Sequence, residues 1–136
     1  MAVSNPPAEK IAEILNTSKR IAVVGASAKP ERPSNAVAKY LIDKGYEILP
    51  VNPGESEILG QKSYKSLSEI EGKVDIVDVF RKSEATDPII DEALAIGAPV
   101  IWLQESVINE EGAKRAEAQG VTVLQDICIK KERAKL

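Results

Sequence analysis

Arg20-Ile21-Ala22-Val23-Val24-Gly25-Ala26-Ser27 is the stretch on which the fold of this chain turns. A continuous apolar run, rich in β-branched residues, stops at a glycine and gives way to small residues, as a strand buried on both faces does where it enters a tight turn. Downstream, Ser34 to Lys44 sets Val37, Ala38, Leu41 and Ile42 on one helical face, with Ser34 as expected N-cap and Gly45 just past the end. Tyr46 to Val51 then reads as a second strand, and Pro50, which has no N–H for a ladder, points to a strand end or a sheet edge.

The same alternation continues in both directions. Before the quoted stretch, Ala8 to Leu15 places Ile11, Ile14 and Leu15 at helical spacing. After it, Glu55 to Gly72 has no long period, and only Ser66 to Ile70 is expected to form a helical turn. Val74 to Phe80 reads as a third strand of alternating pattern. Ser83 to Ile96 is a helix, capped by Ser83, bent early by Pro88 and stopped by Gly97. Pro99 to Leu103 is a fourth strand, Asn109 to Gln119 a polar surface helix, Val121 to Leu124 a fifth strand, and the charged tail Lys130 to Leu136 is expected to fray. Apolar strands separated by helices predict an α/β chain. Right-handed crossovers close it as a doubly wound, Rossmann-like parallel sheet of about five strands with helices on both faces. Residues 1–136 are expected to form one domain. In such sheets ligands lie beyond the carboxyl ends of the strands, where strand order reverses.

Composition narrows the chemistry. With 18 basic and 21 acidic residues the net charge is −3, so there is no global positive field for nucleic acid. The chain has no histidine and one cysteine, Cys128, which removes Ser-His and Cys-His devices, an internal disulfide and any multi-cysteine metal site. The opening Met-Ala-Val-Ser-Asn-Pro-Pro has no basic and apolar signal-peptide pattern, and no apolar run approaches a bilayer span. A cytoplasmic protein, associated with neither membrane nor nucleic acid, is expected.

The loop after the first strand joins Gly25, Ala26 and Ser27 to Lys29, Arg32 and Ser34. Backbone N–H groups there, with the positive end of the next helix and the two bases, suit a phosphate. The dinucleotide fingerprint would need glycine at 25, 27 and 30, but the chain has Ser27 and Pro30 at the last two. Where an acidic residue would hold the ribose of NAD, it has Asn52. Asn52 and Pro53 offer an amide and a rigid turn for an adenosine edge. Phe80 and Arg81 put an aromatic plane and a cation at the same rim. Trp102 is a further candidate contact with a competing core role, and Cys128 is either buried filler or a thiol able to form a mixed disulfide with a thiol cofactor. Asp75, Asp78, Asp87, Asp91 and Glu92 read as carboxylates exposed by strand alternation or helix faces, so no catalytic residue is assigned.

Taken in order, Ile21 to Ser27 with Arg32-Pro33-Ser34, Tyr40-Leu41, Val51-Asn52-Pro53, Leu59-Gly60 with Tyr64, Val77 to Arg81 and Ile101 to Gln104 resemble the small stand-alone CoA-binding domain proteins. Their fold is similar to that of the N-terminal nucleotide-binding domain of the succinyl-CoA synthetase α subunit. The resemblance spans about Ile11 to Lys130 and implies coenzyme A or an acyl-CoA as ligand. It implies Gly25, Ala26, Ser27, Arg32, Ser34 and Asn35 around the diphosphate, Asn52 and Pro53 on the adenosine side, and Phe80 and Arg81 as the opposite wall. The larger synthetases carry a phosphorylated histidine in a second domain; this chain has no histidine, so synthetase activity is not implied. A non-catalytic binding module is the leading expectation. The rivals are an NAD(P)-dependent oxidoreductase and a nucleotide-binding subunit of a larger assembly, and a homodimer or partner subunit is an open expectation.

Overall fold

The structure, a computed structural model, describes residues 5–136. The expectation that the chain opens without a signal peptide falls partly on residues 1–4, which lie outside the described residues. The elements are α1 (Ala8–Thr17), β1 (Arg20–Val24), α2 (Pro33–Asp43), β2 (Glu47–Val51), β3 (Glu57–Ile58), β4 (Gln61–Lys62), β5 (Ile76–Val79), α3 (Thr86–Ala95), β6 (Val100–Leu103), α4 (Glu110–Ala118), β7 (Thr122–Leu124) and α5 (Ile129–Arg133). Five strands form one sheet in the order β2-β1-β5-β6-β7, every neighbouring pair parallel. The fold is therefore a doubly wound, Rossmann-like α/β sheet, and strand order reverses between β1 and β5.

Each face of the sheet buries its own core. Ile21, Val23, Ile48, Ile76 and Trp102 turn to one face and meet α1, α2 and α5 through Leu15, Leu41 and Ile129. Ala22, Val24, Val77, Val79, Ile101 and Leu103 turn to the other and meet α3 and α4 through Ile90, Ala93, Ala113 and Ala116. Double coverage explains why the central strands are apolar almost throughout: β5 and β6 are buried at every position. Each edge of the sheet is covered in part. At the outer edge of β2, Pro50 has no N–H to offer, and its carbonyl accepts from the Tyr64 amide at 2.9 Å. Beyond β7, the Asn5 side chain accepts from the Gln125 amide and donates to the Gln125 carbonyl.

Local departures from the sequence reading have local causes. The N-cap of α2 is Arg32, because Pro33 fills the first helical position and Ser34 is drawn inside the first turn, where it is buried. Ser83 caps nothing; it lies in a short 3-10 turn, and α3 begins at Thr86, which puts Pro88 in a first turn that needs no intrahelical N–H. Asn109 does cap α4, its Oδ1 accepting from Gly112 N at 2.8 Å. The hairpin β3–β4 has strands too short to show a period, and turns through Leu59 and Gly60, both at positive φ. The tail does not fray from Lys130: α5 forms there, anchored by fully buried Ile129.

Candidate functional site

The carboxyl ends of β1, β2, β5 and β6 and the start of α5 converge on an open cavity of about 830 Å³. This lies within the range of small-molecule sites. Gly25 sets its floor at the strand-order reversal. Its N–H donates to the Val51 carbonyl at 3.1 Å, its φ is +85°, and a Cβ there would stand 2.3 Å from the Phe80 carbonyl oxygen. Only glycine lets the loop leave β1 so close to the end of β5.

The loop's carbonyls are held from the side. Asn52 Nδ2 donates to the Ala26 carbonyl and Asn35 Nδ2 to the Ser27 carbonyl, each at 2.8 Å, while the Lys29 amide donates to Ser27 Oγ at 3.1 Å. The backbone N–H groups of Ala26, Ser27 and Ala28, and that of Ser34 in the first turn of α2, donate to no group among the described residues. The loop thus leaves a patch of free donors next to a helix N-terminus that has no side-chain cap.

Lys29, Arg32, Arg81 and Lys82 stand around this patch, and none is in an ion pair among the described residues. Glu105, which also lines the cavity, is paired away with Lys131 at 2.8 Å. Glu55 and Glu84 also line the cavity without ion pairs, so the four cations leave it a positive excess on a chain whose net charge is −3. The arrangement suits an anion that accepts several hydrogen bonds at once.

Of the residues the sequence singled out, the structure gathers Gly25, Ala26, Ser27, Lys29, Arg32, Ser34, Asn52, Phe80, Arg81 and Cys128 around the cavity. Three stand elsewhere. Trp102 is wholly buried in the core, its indole N–H donating to the Ile127 carbonyl at 2.9 Å, so it has no surface for a ligand. Asn35 is buried behind the loop it braces, and exposed Pro53 lines a separate, shallower depression with Lys62 and Lys65.

From the stretch after the fourth strand the sequence reading chose Trp102, whereas Gln104 to Val107 form the cavity's far wall, and it missed the residue beneath them. Asp78 is not exposed by strand alternation: it is fully buried in β5. Gln104 Nε2 donates to Asp78 Oδ1, while Oδ2 has no partner. Burial pushes the Asp78 carboxyl up to about 8, against a smaller lowering by the Gln104 hydrogen bond. A signal was available. Asp75 and Asp78 are three apart, so a strand must send them to opposite faces, and in a strand covered on both faces one of them has to be enclosed. Asp75 lies at the rim, accepting from the Lys19 and Arg20 amides.

Comparisons with known proteins identify the family. The family model described as CoA binding domain matches residues 19–134. The uncharacterized protein YneT of Bacillus subtilis (strain 168) is 49% identical over 128 residues, covering 94% of this chain and 95% of its own length. The acetate–CoA ligase [ADP-forming] I subunit alpha of Pyrococcus furiosus is 38% identical over 115 residues, 79% of this chain but only 25% of that subunit. Among solved structures, a hypothetical protein from Pyrococcus horikoshii OT3 superposes with a TM-score of 0.93 at 40% identity, over 100% of this chain and 99% of that one. Matched by the family model over nearly its whole length, and by one relative almost from end to end, the chain belongs to the CoA binding domain family.

Proposed function

We propose that this chain binds coenzyme A or an acyl-CoA without transforming it, its diphosphate seated on the free amides of Ala26, Ser27 and Ala28 and the start of α2. The observation that carries this reading is the coincidence of those unpartnered donors with four unpaired cations around one cavity. Asn35 acts behind the loop, holding its carbonyls away from the anion. Asn52 lies on the adenosine side, and Phe80 with Arg81 forms the opposite wall. The family assignment supports the cofactor class. No helix among the described residues is long and apolar enough to cross a membrane, and the reading sets the protein in the cytoplasm, where one unpaired cysteine stays reduced.

Half-buried Cys128, among the lining residues, extends the proposal. Its thiolate attacks coenzyme A disulfide, forming a Cys128–coenzyme A mixed disulfide and releasing one coenzyme A thiolate, so no further oxidant is needed. Intact-mass measurement after exposure to coenzyme A disulfide should show one added cofactor moiety, absent from Cys128→Ser.

Calorimetric titration with coenzyme A, dephospho-coenzyme A, NAD and ATP tests the main reading, with coenzyme A expected to bind tightest. Arg32→Ala and Arg81→Ala should each cost about 1.5 to 3 kcal/mol, the worth of a hydrogen bond to a charged group. Unchanged affinity in both variants would overturn the site. A second reading, a nucleotide-binding subunit of a larger assembly, is favoured by the match to one quarter of an acetate–CoA ligase subunit. Co-purification of a stoichiometric partner with the untagged protein would support it.

A further inference from the structure

Asp78 and Gln104 form a pair with two hydrogen-bonding states, only one of which faces the cavity with a donor. Asp78 lies on central β5 with no exposure, and its Oδ2 is the one fully enclosed side-chain polar atom without a partner among the described residues. Its neighbour through Oδ1 is the Gln104 amide, and Gln104 is itself a lining residue of the cavity. A half-turn about the terminal torsion of Gln104 exchanges its Oε1 and Nε2 with almost no change of shape. If Nε2 faces Asp78, the cavity meets a carbonyl oxygen. If Oε1 faces Asp78, the cavity meets an N–H.

The proton on Asp78 decides between these states. A carboxylate can only accept, so it requires Nε2. A neutral carboxyl has one O–H to donate, and the acceptor within its reach is Gln104 Oε1 in the reversed amide. Keeping Nε2 inward would enclose an O–H without an acceptor. The reversed amide leaves only carbonyl lone pairs unpaired, which costs less.

We propose that Asp78 is a positioning residue that, while protonated, holds Gln104 with its N–H towards the cavity, so that the site selects a ligand with a carbonyl acceptor at that point, such as an amide or thioester. Losing the proton reverses Gln104 and turns that contact into an acceptor facing an acceptor. The inference rests on the proposed cofactor only for its probe, since coenzyme A carries amide carbonyls between its diphosphate and its thiol.

Other groups do not compete for control of the switch. Over this face of the sheet, α2 contributes Tyr40, the turn after it Tyr46, and α5 with its preceding residue contributes Arg133, Lys130, Glu132 and Cys128. Glu132 is paired with Lys135, and Arg133 donates to the Tyr46 hydroxyl. On α1, Lys10 and Glu13 pair with each other on its exposed side. From the flanking strands β6 contributes no charged side chain, and Arg20 of β1 is engaged by Glu47 at the opposite end. Arg81 and Lys82 remain at the rim. Burial raises the Asp78 carboxyl and the Gln104 hydrogen bond lowers it.

The test begins without ligand. In the full-length protein, the side-chain NH₂ signals of Gln104, assigned by their loss in Gln104→Met, should shift between pH 7 and pH 9 around the midpoint of about 8. In Asp78→Asn they should not move, because the amide introduced at that position donates to Gln104 Oε1 at every pH. Signals that stay fixed in the wild type would overturn the proposal whether or not any cofactor binds. Coenzyme A is then titrated over the same range. The wild type should weaken by about tenfold above the midpoint relative to Asp78→Asn, the worth of one hydrogen bond. Equal pH profiles for the two proteins would sink the inference and leave the proposed function standing. No coenzyme A binding at any pH would sink the proposed function and leave the amide signals to decide the inference.

Discussion

Asp78 is a carboxyl fully buried in the sheet with one oxygen unpartnered, and the cost of enclosing it depends on pH. Its carboxyl ionises near 3.8 when unfolded and at about 8 when folded. Below pH 3.8 both states hold the proton and nothing is lost. Between those values only the folded state holds it, so unfolding releases a proton, and stability falls as pH rises through the window to a floor above pH 8. Asp78→Asn removes that slope. In urea unfolding at neutral pH the variant should exceed the wild type by on the order of a few kcal/mol, the gap closing as pH falls towards 4. A gap independent of pH would mean that Asp78 is not protonated in the fold. The residues at the mouth of the cavity were easier to read from sequence than this one. Gly25, Ser27 and Arg32 declare themselves because a strand, a glycine and bases follow in order, whereas a lone carboxylate in an apolar run looks the same whether it points to solvent or is enclosed. Trp102 was ambiguous for a similar reason: its indole N–H needs a partner, and a backbone carbonyl serves as well as a ligand.

At the scale of elements, α3 and α4 meet where Gly112 lets them come close. A Cβ on Gly112 would stand 2.6 Å from Ile90 Cδ1 and 2.9 Å from Asn109 Nδ2, the capping side chain that also donates to Thr86 and Asp87. Replacing a helical glycine by alanine ordinarily adds up to about 1 kcal/mol. Here Gly112→Ala should instead destabilise by roughly 1 to 3 kcal/mol, because the overpacking strikes a buried isoleucine and the cap together. A raised melting temperature would refute this. The main strands and helices were legible because each carries a run or a period long enough to register. The β3–β4 hairpin was not, having two residues a side, and α5 was hidden because one apolar residue, Ile129, is all that ties a charged segment down.

At the scale of the whole molecule, an acidic protein presents a basic mouth. Long-range repulsion from the net charge of −3 and short-range attraction from Lys29, Arg32, Arg81 and Lys82 oppose each other for an anionic ligand, and the nearer charges dominate within the Debye length of about 8 Å at physiological salt. Coenzyme A affinity should therefore fall as sodium chloride is raised from low to physiological concentration. A flat or rising titration would show that those cations do not meet the ligand. Alternation of elements and right-handed crossovers made a doubly wound sheet with a site beyond its carboxyl ends foreseeable, but the strand order that places the reversal between β1 and β5 comes from the structure.

The two partly covered margins of the sheet carry a consequence for assembly. A neighbouring chain seeking to extend the ladder past β2 would find a missing rung at Pro50 and Tyr64 already in place, and past β7 it would find Asn5 holding the main chain of Gln125. Those two blocks work against edge-to-edge pairing of copies, the contact from which fibrous growth would start.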